Sequence, residues 1–582
     1  MKNYDKNSLT GFVLMFLILL IFNFYFLPTT EETQQNNEEI KTENLITETD
    51  IITSEKPQLT KEEKGNKYGV FAESADLNTK EYSIENEKIK VVISNKGGRI
   101  SSVVIKEGPN KKQYKTYDGN ELEIFNSDSS IFNLNFSTGI SINTSELFFK
   151  PKEISDDEIT MRLEVDSSHF IDFNYKINED YLVDFNINMI GMNEVIPREL
   201  NFMNLEWQMK TPQTEKSKSN QDMYTGIQYQ YSSDREVDYL SFTSSDDDKI
   251  NAKLNWVAFK QQFFSAIIIS KDGFEKPTYL TSSKSESSKY IKDLYAKFEL
   301  PYNHKNNEQL KLQFYFGPNH YKTLESYNSG FEELIPLGWG IFGWVNKYII
   351  INLFDFLSKY FLNFGIIILL LTLVIKIGLA PFTYKAFLSQ AKMKVLKPEI
   401  DKINDKLKGK DPMKIQQETM GLYRKAGVSP MGGCLPMLFQ FPILIAMFRF
   451  FPASIELRQK SFLWADDLSS YDSIYELGFS IPFYGDHVSL FTLLMTISTL
   501  MYTRMNSSMA TGQMAQMKWM MYLMPIMFLG FFNNYAAGLS YYYFLANMFT
   551  FTQQYFMKRF IDEEKILAQL EKNRKNDSVF LV

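Results

Sequence analysis

The chain has 582 residues, of which 44% are hydrophobic and 15% aromatic, and it carries a formal net charge of −7. This length and composition allow more than one domain and several membrane spans, so a purely soluble protein is excluded. The single cysteine, Cys434, excludes an internal disulfide, and any exported domain must therefore be stabilised by its own hydrophobic core.

The first predicted element is an apolar stretch at residues 9–27, which follows Lys2 and Lys6. Its length suits a helix that crosses a hydrocarbon core of about 30 Å. Residues 28–32 contain no small-residue cleavage site, which favours an uncleaved anchor over residues 1–28 rather than a cleaved signal peptide. Residues 29–67 are rich in Glu, Thr, Asn, Gln and Lys, and they predict a flexible acidic linker.

Residues 68–330 have the alternating pattern of antiparallel strands. The sequence Asn95-Lys96-Gly97-Gly98 follows one such segment and predicts a turn in which the glycines supply positive φ angles. Apolar residues alternate over 171–177 and again over 181–189, which predicts a hairpin with one buried face. A helical pattern is predicted only at about 255–264. The expected fold of this region is a large, mainly antiparallel β-sandwich.

The C-terminal half carries the membrane signal. Residues 331–362 mix Trp, Phe and Tyr with charged residues, and this predicts an amphipathic helix that lies at the membrane interface. Five longer apolar runs follow, and together with the anchor they predict six spans. The runs lie at about 364–383, 431–451, 488–505, 517–532 and 539–557.

Basic residues in the loops predict the orientation. Residues 384–428 hold eleven basic and five acidic residues, whereas residues 453–487 hold two basic and six acidic residues. The positive-inside rule places the first segment in the cytoplasm and the second outside. Six spans then leave both termini in the cytoplasm, including a tail over residues 560–582, and place the β-domain outside.

The basic segment at 384–428 has apolar residues at helical spacing on either side of Gly409, which predicts a helical hairpin. One interpretation is a solvated loop that only fixes the orientation. The other is a docking arm for an anionic partner such as ribosomal RNA or lipid headgroups.

Lys376 lies within the apolar run at 364–381. A charge at that depth costs roughly 3 kcal/mol, so it is expected to face protein or water and to mark a working site. Thr372 precedes it by one helical turn and should share its face. The alternative is that Lys376 extends along the helix to the cytoplasmic interface.

Several motifs of the C-terminal half resemble those of the YidC-type membrane protein insertases, over about 339–559. The anchor and the β-domain, with Asn95-Lys96-Gly97-Gly98-Arg99, are similar to the Gram-negative form, in which this domain is a periplasmic super-sandwich. The motifs in the C-terminal half are Gly432-Gly433-Cys434-Leu435-Pro436 through Gln440 and Pro442, Glu456-Leu457-Arg458-Gln459, the spacing from Lys376 to Pro381, and Ala537-Gly538-Leu539 through Asn547.

The resemblance implies a polytopic α-helical protein of the bacterial inner membrane. The five spans of its insertase core, residues 363–559, would enclose a hydrophilic groove. This groove would be open to the cytoplasm and to lipid. Lys376 falls on the central cation of that groove, where the family often has arginine. Lysine keeps the charge but lacks the planar group with five donors.

Four further residues are predicted to line the substrate groove, namely Thr372, Gln440, Tyr542 and Tyr543. The resemblance places Gln440 in the groove, and Tyr543 matches a position that contacts substrates. Their ordinary interpretations remain open: Thr372 and Gln440 as hydrogen-bond partners between helices, and Tyr542 and Tyr543 as packing aromatics. No catalytic residue, metal or cofactor is implied, and the chain is not expected to be an enzyme. The implied partners are nascent membrane proteins, the Sec translocon and anionic lipids, with the ribosome and the signal recognition particle receptor as further candidates.

Two other functions remain as alternatives. A secondary transporter or channel would also place a cation in a midplane cavity, but the spans contain no internal repeat and no pair of interrupted helices. A membrane-anchored carbohydrate enzyme would use the β-domain, but the histidines have no obvious carboxylate partners in the sequence. The histidines are His169, His304, His320 and His487.

Overall fold

The structure, a computed structural model, describes residues 60–108, 113–407, 412–428, 435–507, 518–562, 564–568, 570 and 572–573. Its contacts divide the chain into two compact units. The first contains the described residues up to Asn319 together with Tyr327–Phe331, and the second contains His320–Ser326 and the described residues from Glu332 onward. The predicted anchor, most of the predicted linker and the end of the predicted tail lie outside the described residues.

The first unit is built mainly from antiparallel strands. In chain order these are β1 Glu81–Glu85, β2 Ile89–Ser94, β3 Arg99–Ile105, β4 Leu122–Phe125, β5 Ser130–Ser137, β6 Ser141–Asn143, β7 Lys150–Ile154, β8 Glu158–Glu164, β9 Phe170–Ile177, β10 Leu182–Ile190, β11 Phe202–Pro212, β12 Gly226–Tyr231, β13 Val237–Tyr239, β14 Asp246–Ile250, β15 Leu254–Lys260, β16 Phe264–Lys284, β17 Tyr290–Pro301 and β18 Asn307–Pro318. Two helices, α1 Lys61–Tyr68 and α2 Lys218–Tyr224, accompany them.

Two large sheets share the long strand β16. Its first half pairs with β15 and β18, and its second half pairs with β14 and β17. The described strands of one sheet follow the order β6-β5-β11-β17-β16-β14, and those of the other follow β13-β12-β15-β16-β18-β10-β9-β8-β7. A smaller sheet has the order β1-β2-β3-β4. The predicted antiparallel β-sandwich is therefore confirmed.

Aromatic rings fill the space between the two large sheets. Phe132 of β5 lies 5.5 Å from Phe185 of β10 and 5.8 Å from Phe314 of β18, and Trp207 of β11 stacks on Phe259 of β15 at 4.0 Å between ring centroids. Burying each such side chain contributes about 1.5–3 kcal/mol. This core explains how the unit folds without a disulfide.

The two predicted turns are confirmed. Strands β9 and β10 pair with Val183 opposite Ile177, and their alternate apolar side chains are buried. Gly97 and Gly98 have φ angles of 81° and 60° between β2 and β3. A Cβ atom on Gly98 would lie 2.7 Å from the ring of Phe149, so this turn requires glycine for space as well as for its backbone conformation.

Two predictions in this region are wrong. Residues 255–264 do not form a helix, because strand β15 covers most of them and β16 begins at Phe264. The predicted linker at 29–67 contains helix α1 at its end. Thr60 and Glu63 form a capping box there, with reciprocal bonds of 3.3 Å and 2.7 Å to each other's backbone nitrogens, and this motif starts a helix even in a polar segment.

The second unit is helical. Its described helices are α3 Tyr321–Ser326, α4 Gly340–Val345, α5 Ile351–Ser358, α6 Phe364–Lys406, α7 Pro412–Lys425, α8 Leu435–Ala453, α9 Leu490–Ser507, α10 Lys518–Asn533 and α11 Ala537–Phe560. A π-helical segment, Asn346–Ile350, joins α4 to α5, and a hairpin of β19 Tyr475–Ile481 and β20 Gly485–Val488 precedes α9. Helix α11 packs against α6, α8 and α9, while α10 packs against α9.

Polar side chains define where the long helices begin. Asn363 accepts the backbone N–H of Ile366 at 3.2 Å and so caps α6. Asp472 accepts the N–H groups of Leu490 and Phe491 at 2.9 Å and 3.1 Å, and its charge is favourable at the N-terminus of α9.

Helix α6 continues without a break from the apolar run that holds Lys376 into the basic segment, although Pro381 and Pro398 lie inside it. The predicted hairpin therefore consists of the second half of α6 and helix α7, joined by residues 408–411, which lie outside the described residues. A small core supports it, in which side chains of α6 and α7 meet side chains of the tail. Its buried members are Leu396, Ile400, Tyr423, Ala426, Val428, Ile566 and Leu570.

By length and hydropathy alone, one helix of the described residues, α6, is long and apolar enough to cross a membrane. The stretches Gln440–Ala453 and Trp519–Asn533 are apolar helices of shorter length. The number of spans therefore stays a prediction.

Candidate functional site

Lys376 is buried at the contact between α6 and α11. Its side chain is 6% exposed, and Leu371, Thr372 and Ile375 on the same helix are also buried. The side chain of Lys376 therefore does not extend along the helix to a surface, as the alternative prediction had it. The face of α6 that carries Lys376 is covered by α11, because these two helices pack against each other.

Two polar side chains of α11 contact Lys376, one at its ammonium and one at its backbone oxygen. The Nζ of Lys376 donates to the Oγ1 of Thr550 at 2.9 Å, and the Nε2 of Gln553 donates to the backbone oxygen of Lys376 at 3.0 Å. The hydroxyl of Thr550 donates in turn to the backbone oxygen of Ala546 at 2.7 Å, which leaves its lone pairs for the ammonium. In the part of the chain that the structure describes, no carboxylate forms an ion pair with Lys376.

A polar row on α11 extends the site toward α9. Asn547, Thr550 and Gln553 are spaced by three residues and therefore lie along one side of the helix. Asn547 donates from Nδ2 to the hydroxyls of Ser498 and Thr499 on α9, at 2.9 Å and 3.0 Å. The row thus contacts Lys376 on α6 at one end and a pair of hydroxyls on α9 at the other.

Thr372 is fully buried one turn before Lys376. Its hydroxyl donates to the backbone oxygen of Ile368 at 2.6 Å, so its donor is satisfied within its own helix. Gln440 is half-buried on α8. The structure brings neither residue into a hydrogen bond with the ammonium of Lys376.

Tyr542 and Tyr543 form a separate aromatic cluster on α11. The hydroxyl of Tyr543 lies 3.4 Å from the backbone oxygen of Leu444 on α8, and the ring of Tyr542 lies 5.8 Å from that of Phe451. Both tyrosines precede Thr550 by about two turns, or roughly 10–12 Å along the axis. The structure therefore divides the predicted residues: Lys376 forms the cation site, Tyr542 and Tyr543 form an aromatic wall, and Thr372 and Gln440 make no hydrogen bond to the ammonium.

Sequence reasoning missed Thr550 and Gln553, which are the two partners of Lys376. A signal was present, because the sequence Thr550-Phe551-Thr552-Gln553-Gln554 is a polar interruption inside the predicted span at 539–557. Polar residues within a span usually face the interior of the bundle. The glycine-rich motif at 432–434 lies outside the described residues.

The chemistry of the site suits an anion. An ammonium, hydroxyls and amides supply hydrogen-bond donors, whereas metal ions need carboxylates, thiolates or imidazoles. Across the described ranges, no group of three or more His, Cys, Asp and Glu side chains could hold a metal ion.

Two protein-family models match the chain in succession. Residues 81–351 match the model described as YidC periplasmic domain, and residues 356–564 match the model described as 60Kd inner membrane protein. Membrane protein insertase YidC from Parabacteroides distasonis is 40% identical to this chain and aligns with 98% of it and 95% of its own length. The chain belongs to the YidC family of membrane protein insertases. The corresponding protein of Bacteroides fragilis is also 40% identical, over 98% of this chain and 94% of its own length.

Membership of the YidC family makes the chain an inner-membrane protein with a periplasmic domain. The two family models meet within α5, between residues 351 and 356. The relatives carry a name that describes insertion and not a chemical reaction, which agrees with the prediction that the chain is not an enzyme.

Comparison with solved structures gives weak likenesses of fold. A galactose mutarotase related enzyme from Lactobacillus acidophilus is 11% identical over 41% of this chain and 97% of its own, with a TM-score of 0.26. A score of this size carries no argument about function.

Proposed function

We propose that this chain inserts inner-membrane proteins and helps them to fold, and that it does so by drawing a short polar or acidic segment of the substrate toward Lys376 from the cytoplasmic side. The observation that supports this most is the buried ammonium, which donates to the neutral hydroxyl of Thr550 and forms no ion pair with a described carboxylate. A buried cation without a carboxylate partner attracts an incoming anion strongly, because no protein charge neutralises it.

The energetics are suited to transfer without a nucleotide. An acidic residue in the centre of a membrane costs about 2.5–3.5 kcal/mol. A cation about 4 Å away returns about 4 kcal/mol at an effective dielectric constant of 20, which offsets that cost without trapping the substrate. The apolar segment then moves sideways into lipid, and its burial drives the reaction.

The outer surface of the helical bundle supports a membrane location for all five core helices. Large apolar side chains are exposed on each of α6, α8, α9, α10 and α11. Soluble proteins rarely expose apolar surface of this extent. The exposed side chains include Ile366, Val374, Phe441, Ile497, Met501, Ile526, Phe528 and Phe556. With the anchor, these helices would make six spans, with both termini in the cytoplasm and the β-domain in the periplasm.

The helical stretch from α4 to α5 is proposed to lie at the periplasmic interface. Its exposed face carries Trp339, Trp344 and Tyr348, while Ile350 and Phe354 are buried against the bundle. Aromatic side chains with a polar edge prefer the headgroup level, so this face suits the boundary between lipid and water.

The remaining predicted residues fit the path of a substrate helix. Thr372 lies one turn before the cation on α6, Gln440 would add a polar group from α8, and Tyr542 and Tyr543 would supply an aromatic wall about two turns away along α11. The basic helices of residues 384–428 would attract an anionic partner in the cytoplasm, either the ribosome, the signal recognition particle receptor or anionic lipids. Cooperation with the Sec translocon belongs to the same proposal.

Insertion of a short single-span substrate into liposomes that contain only this purified chain tests the proposal. Protease protection of a translocated acidic tail is the readout. We expect Lys376→Arg to stay within about twofold of the parent and Lys376→Glu to fall about tenfold or more, since a loss of about 1.4 kcal/mol in attraction gives a tenfold change.

Lys359→Glu is the matched control, because it makes the same charge change at an exposed position five residues before α6 and outside the basic segment at 384–428. Equal insertion by the Lys376→Glu and Lys359→Glu variants, both correctly folded, would remove the cation from the mechanism. A substrate with a neutral tail should be less sensitive to Lys376→Glu than one with an acidic tail.

A further inference from the structure

The hairpin of β19 and β20 is a small sheet on its own, set between α8 and α9. Neither strand pairs with another described strand of the molecule. Five of the seven residues from Leu477 to Phe483, around the tip of the hairpin, are apolar. The side chains of Phe479, Ile481 and Phe483 are 63%, 38% and 92% exposed. A lone two-stranded hairpin with such a surface is marginal in water.

The charge pattern separates the tip of the hairpin from its base. Residues 477–485 contain no Asp, Glu, Lys or Arg, whereas Glu476 and Asp486 flank that stretch immediately on either side. Glu476 stands opposite His487 in the register of the two strands. The apolar tip is thus bounded by a polar base, as expected of an element that crosses from water into an apolar medium.

The tip is fixed in place against α10. Asn533 and Asn534 both donate from Nδ2 to the backbone oxygen of Tyr484, at 2.9 Å and 2.8 Å. The backbone oxygen of Phe483 packs on Gly530, where a Cβ atom would lie only 2.7 Å from it. Phe483 also has a φ of 66°, a conformation that a bulky residue adopts only when its surroundings hold it there.

The contacts with Gly530 and Asn533 show where the tip lies along the axis of α10. Gly530 precedes the end of α10 at Asn533 by three residues, or about 4.5 Å along the axis. The exposed side chains of Ile526 and Phe528 lie in the second half of α10, four and two residues before Gly530. The aromatic tip is therefore beside the last turn of a helix whose outer surface is itself apolar.

We propose that the tip of this hairpin, residues 479–483, is immersed in the outer leaflet of the inner membrane, where it contacts the glycerol region and upper acyl chains of phospholipids. The proposal rests on the proposed arrangement of the spans, in which the Asn533 end of α10 faces the periplasm. The hairpin then extends the lipid-facing surface of α10. It also keeps lipid away from the buried contact between His487 and the backbone oxygen of Asn533, at 2.9 Å.

Fluorescence quenching of a single label in the full chain tests this proposal. In a Cys434→Ser background, Phe483→Cys, Phe479→Cys, Glu476→Cys and Ile526→Cys each receive an environment-sensitive fluorophore, and the labelled chains are reconstituted in vesicles of phosphatidylethanolamine and phosphatidylglycerol. One quencher is a phospholipid with a nitroxide near the carbonyl end of its acyl chain, and the other is aqueous iodide. A circular dichroism spectrum identical to that of the parent shows that each labelled variant is folded.

We expect lipid quenching at Phe483→Cys and Phe479→Cys to exceed that at Glu476→Cys by about twofold or more, with the reverse order for iodide, since aromatic anchors lie below the headgroups. Iodide access at Phe483→Cys equal to that at Glu476→Cys would place the tip in water and overturn the proposal. Protection from both quenchers would mean that protein covers the tip, and it would overturn the proposal as well.

The label at Ile526→Cys separates the two proposals. If it is quenched by lipid while the tip labels are not, only the inference about the hairpin fails. If Ile526→Cys is also inaccessible to the lipid quencher, the arrangement of the spans fails with it.

Discussion

Thr550 holds the ammonium of Lys376 through a hydroxyl that is itself anchored to the backbone of α11. Because the hydroxyl proton is donated to Ala546, the oxygen presents its lone pairs to the cation. A hydrogen bond to a charged group contributes about 1.5–3 kcal/mol, so this contact fixes the position of the charge in the site.

Replacement of Thr550 by valine should weaken insertion of substrates with acidic tails by about threefold to tenfold, since the ammonium loses its oriented acceptor. The measurement is the initial rate of tail protection in liposomes. Thr552→Val is the matched control, because Thr552 makes the same type of bond, to the backbone oxygen of Met548 at 3.0 Å, but is exposed. Equal rates for the two variants would contradict the role given to Thr550.

The pairing of Lys376 with Thr550 could not be predicted from the sequence. The two residues are 174 positions apart, and the register between α6 and α11 depends on how the whole bundle packs. The charge at Lys376 was recognisable because it is rare in an apolar run. Threonine and glutamine are common in membrane spans, so the sequence does not show which of them contact Lys376.

Lys260 and Lys292 are two buried cations of the periplasmic unit. The Nζ of Lys260 donates to the backbone oxygen of Tyr224 at 2.7 Å, and that of Lys292 donates to the backbone oxygen of Thr225 at 2.8 Å. Both oxygens lie at the C-terminus of helix α2, where positive charge is favourable. Burial, with a smaller contribution from the neighbouring Lys292, lowers the pKa of Lys260 to about 7.

The stability of this unit should therefore rise with pH above about 7. The lysine keeps an ordinary pKa of about 10.5 when unfolded, so between these two values the unfolded chain binds more protons than the folded chain. The free energy of unfolding then increases by up to about 1.4 kcal/mol per pH unit, whereas below pH 7 both states are protonated and this dependence disappears.

Denaturant unfolding of the purified chain at pH 6.5, about 7.5 and about 8.5 measures this linkage. Lys260→Met should flatten the pH dependence, whereas Lys311→Met, at an exposed position of β18, should keep it. The same pH dependence in Lys260→Met as in the parent would show that other groups cause it.

At the scale of elements, the tail after α11 is part of the structure of the basic hairpin. Ile566 and Leu570 are buried with Leu396 and Ile400 of α6 and Tyr423 of α7. The hairpin is therefore held by a core of its own and is more than a charged loop. This contact joins the tail after α11, the last helix of the core, to α6, the first.

Ile566→Asp should release the tail, because it places an unpaired charge in an apolar cluster at a cost of about 3 kcal/mol or more. Limited trypsin digestion should then cleave at Lys572 and within residues 384–428 at least about threefold faster, since cleavage follows the open population. The control is Leu567→Asp, the same charge at an exposed neighbouring position. Unchanged cleavage in Ile566→Asp would mean that the tail does not stabilise the hairpin.

The strands show which elements a sequence can reveal. Strands β9 and β10 each bury one face, so their apolar residues alternate and the hairpin was predictable. Strand β15 buries Trp256, Val257, Ala258 and Phe259 in succession, and a continuous apolar run does not distinguish a doubly covered strand from a helix. The incorrect helix at 255–264 has this cause.

At the scale of the whole molecule, the cation site and the β-sandwich belong to different compact units. Helix α3 stays with the helical unit through two contacts: Lys322 forms an ion pair with Asp355 at 2.6 Å, and His320 lies 3.4 Å from Glu456. The sequence-based boundary at residue 330 did not reveal this, because partners more than thirty residues away decide where such a short segment belongs.

Deletion of residues 68–319 should leave insertion of a short substrate within about twofold of the full chain, because no side chain of the cation site is removed. Deletion of residues 68–331 also removes α3 and its ion pairs, and we expect it to lower the thermal stability of the helical unit by a few degrees. Liposome insertion and thermal unfolding in detergent are the measurements. Loss of insertion in the shorter deletion, with the helical unit still folded, would contradict this separation of roles.

The continuity of α6 gives it the mechanics of a lever. Pro381 lacks the N–H that would bond to Ile377, so the helix bends there at least cost, and this point lies just over one turn beyond Lys376. The arm from Pro381 to Pro398, where a second backbone N–H is missing, is 17 residues, or about 26 Å, and a bend of about 10° at Pro381 moves its far end by about 4 Å. With Pro381 as the pivot, a displacement at Pro398 reaches Lys376, five residues or about 7.5 Å on the other side, reduced about threefold.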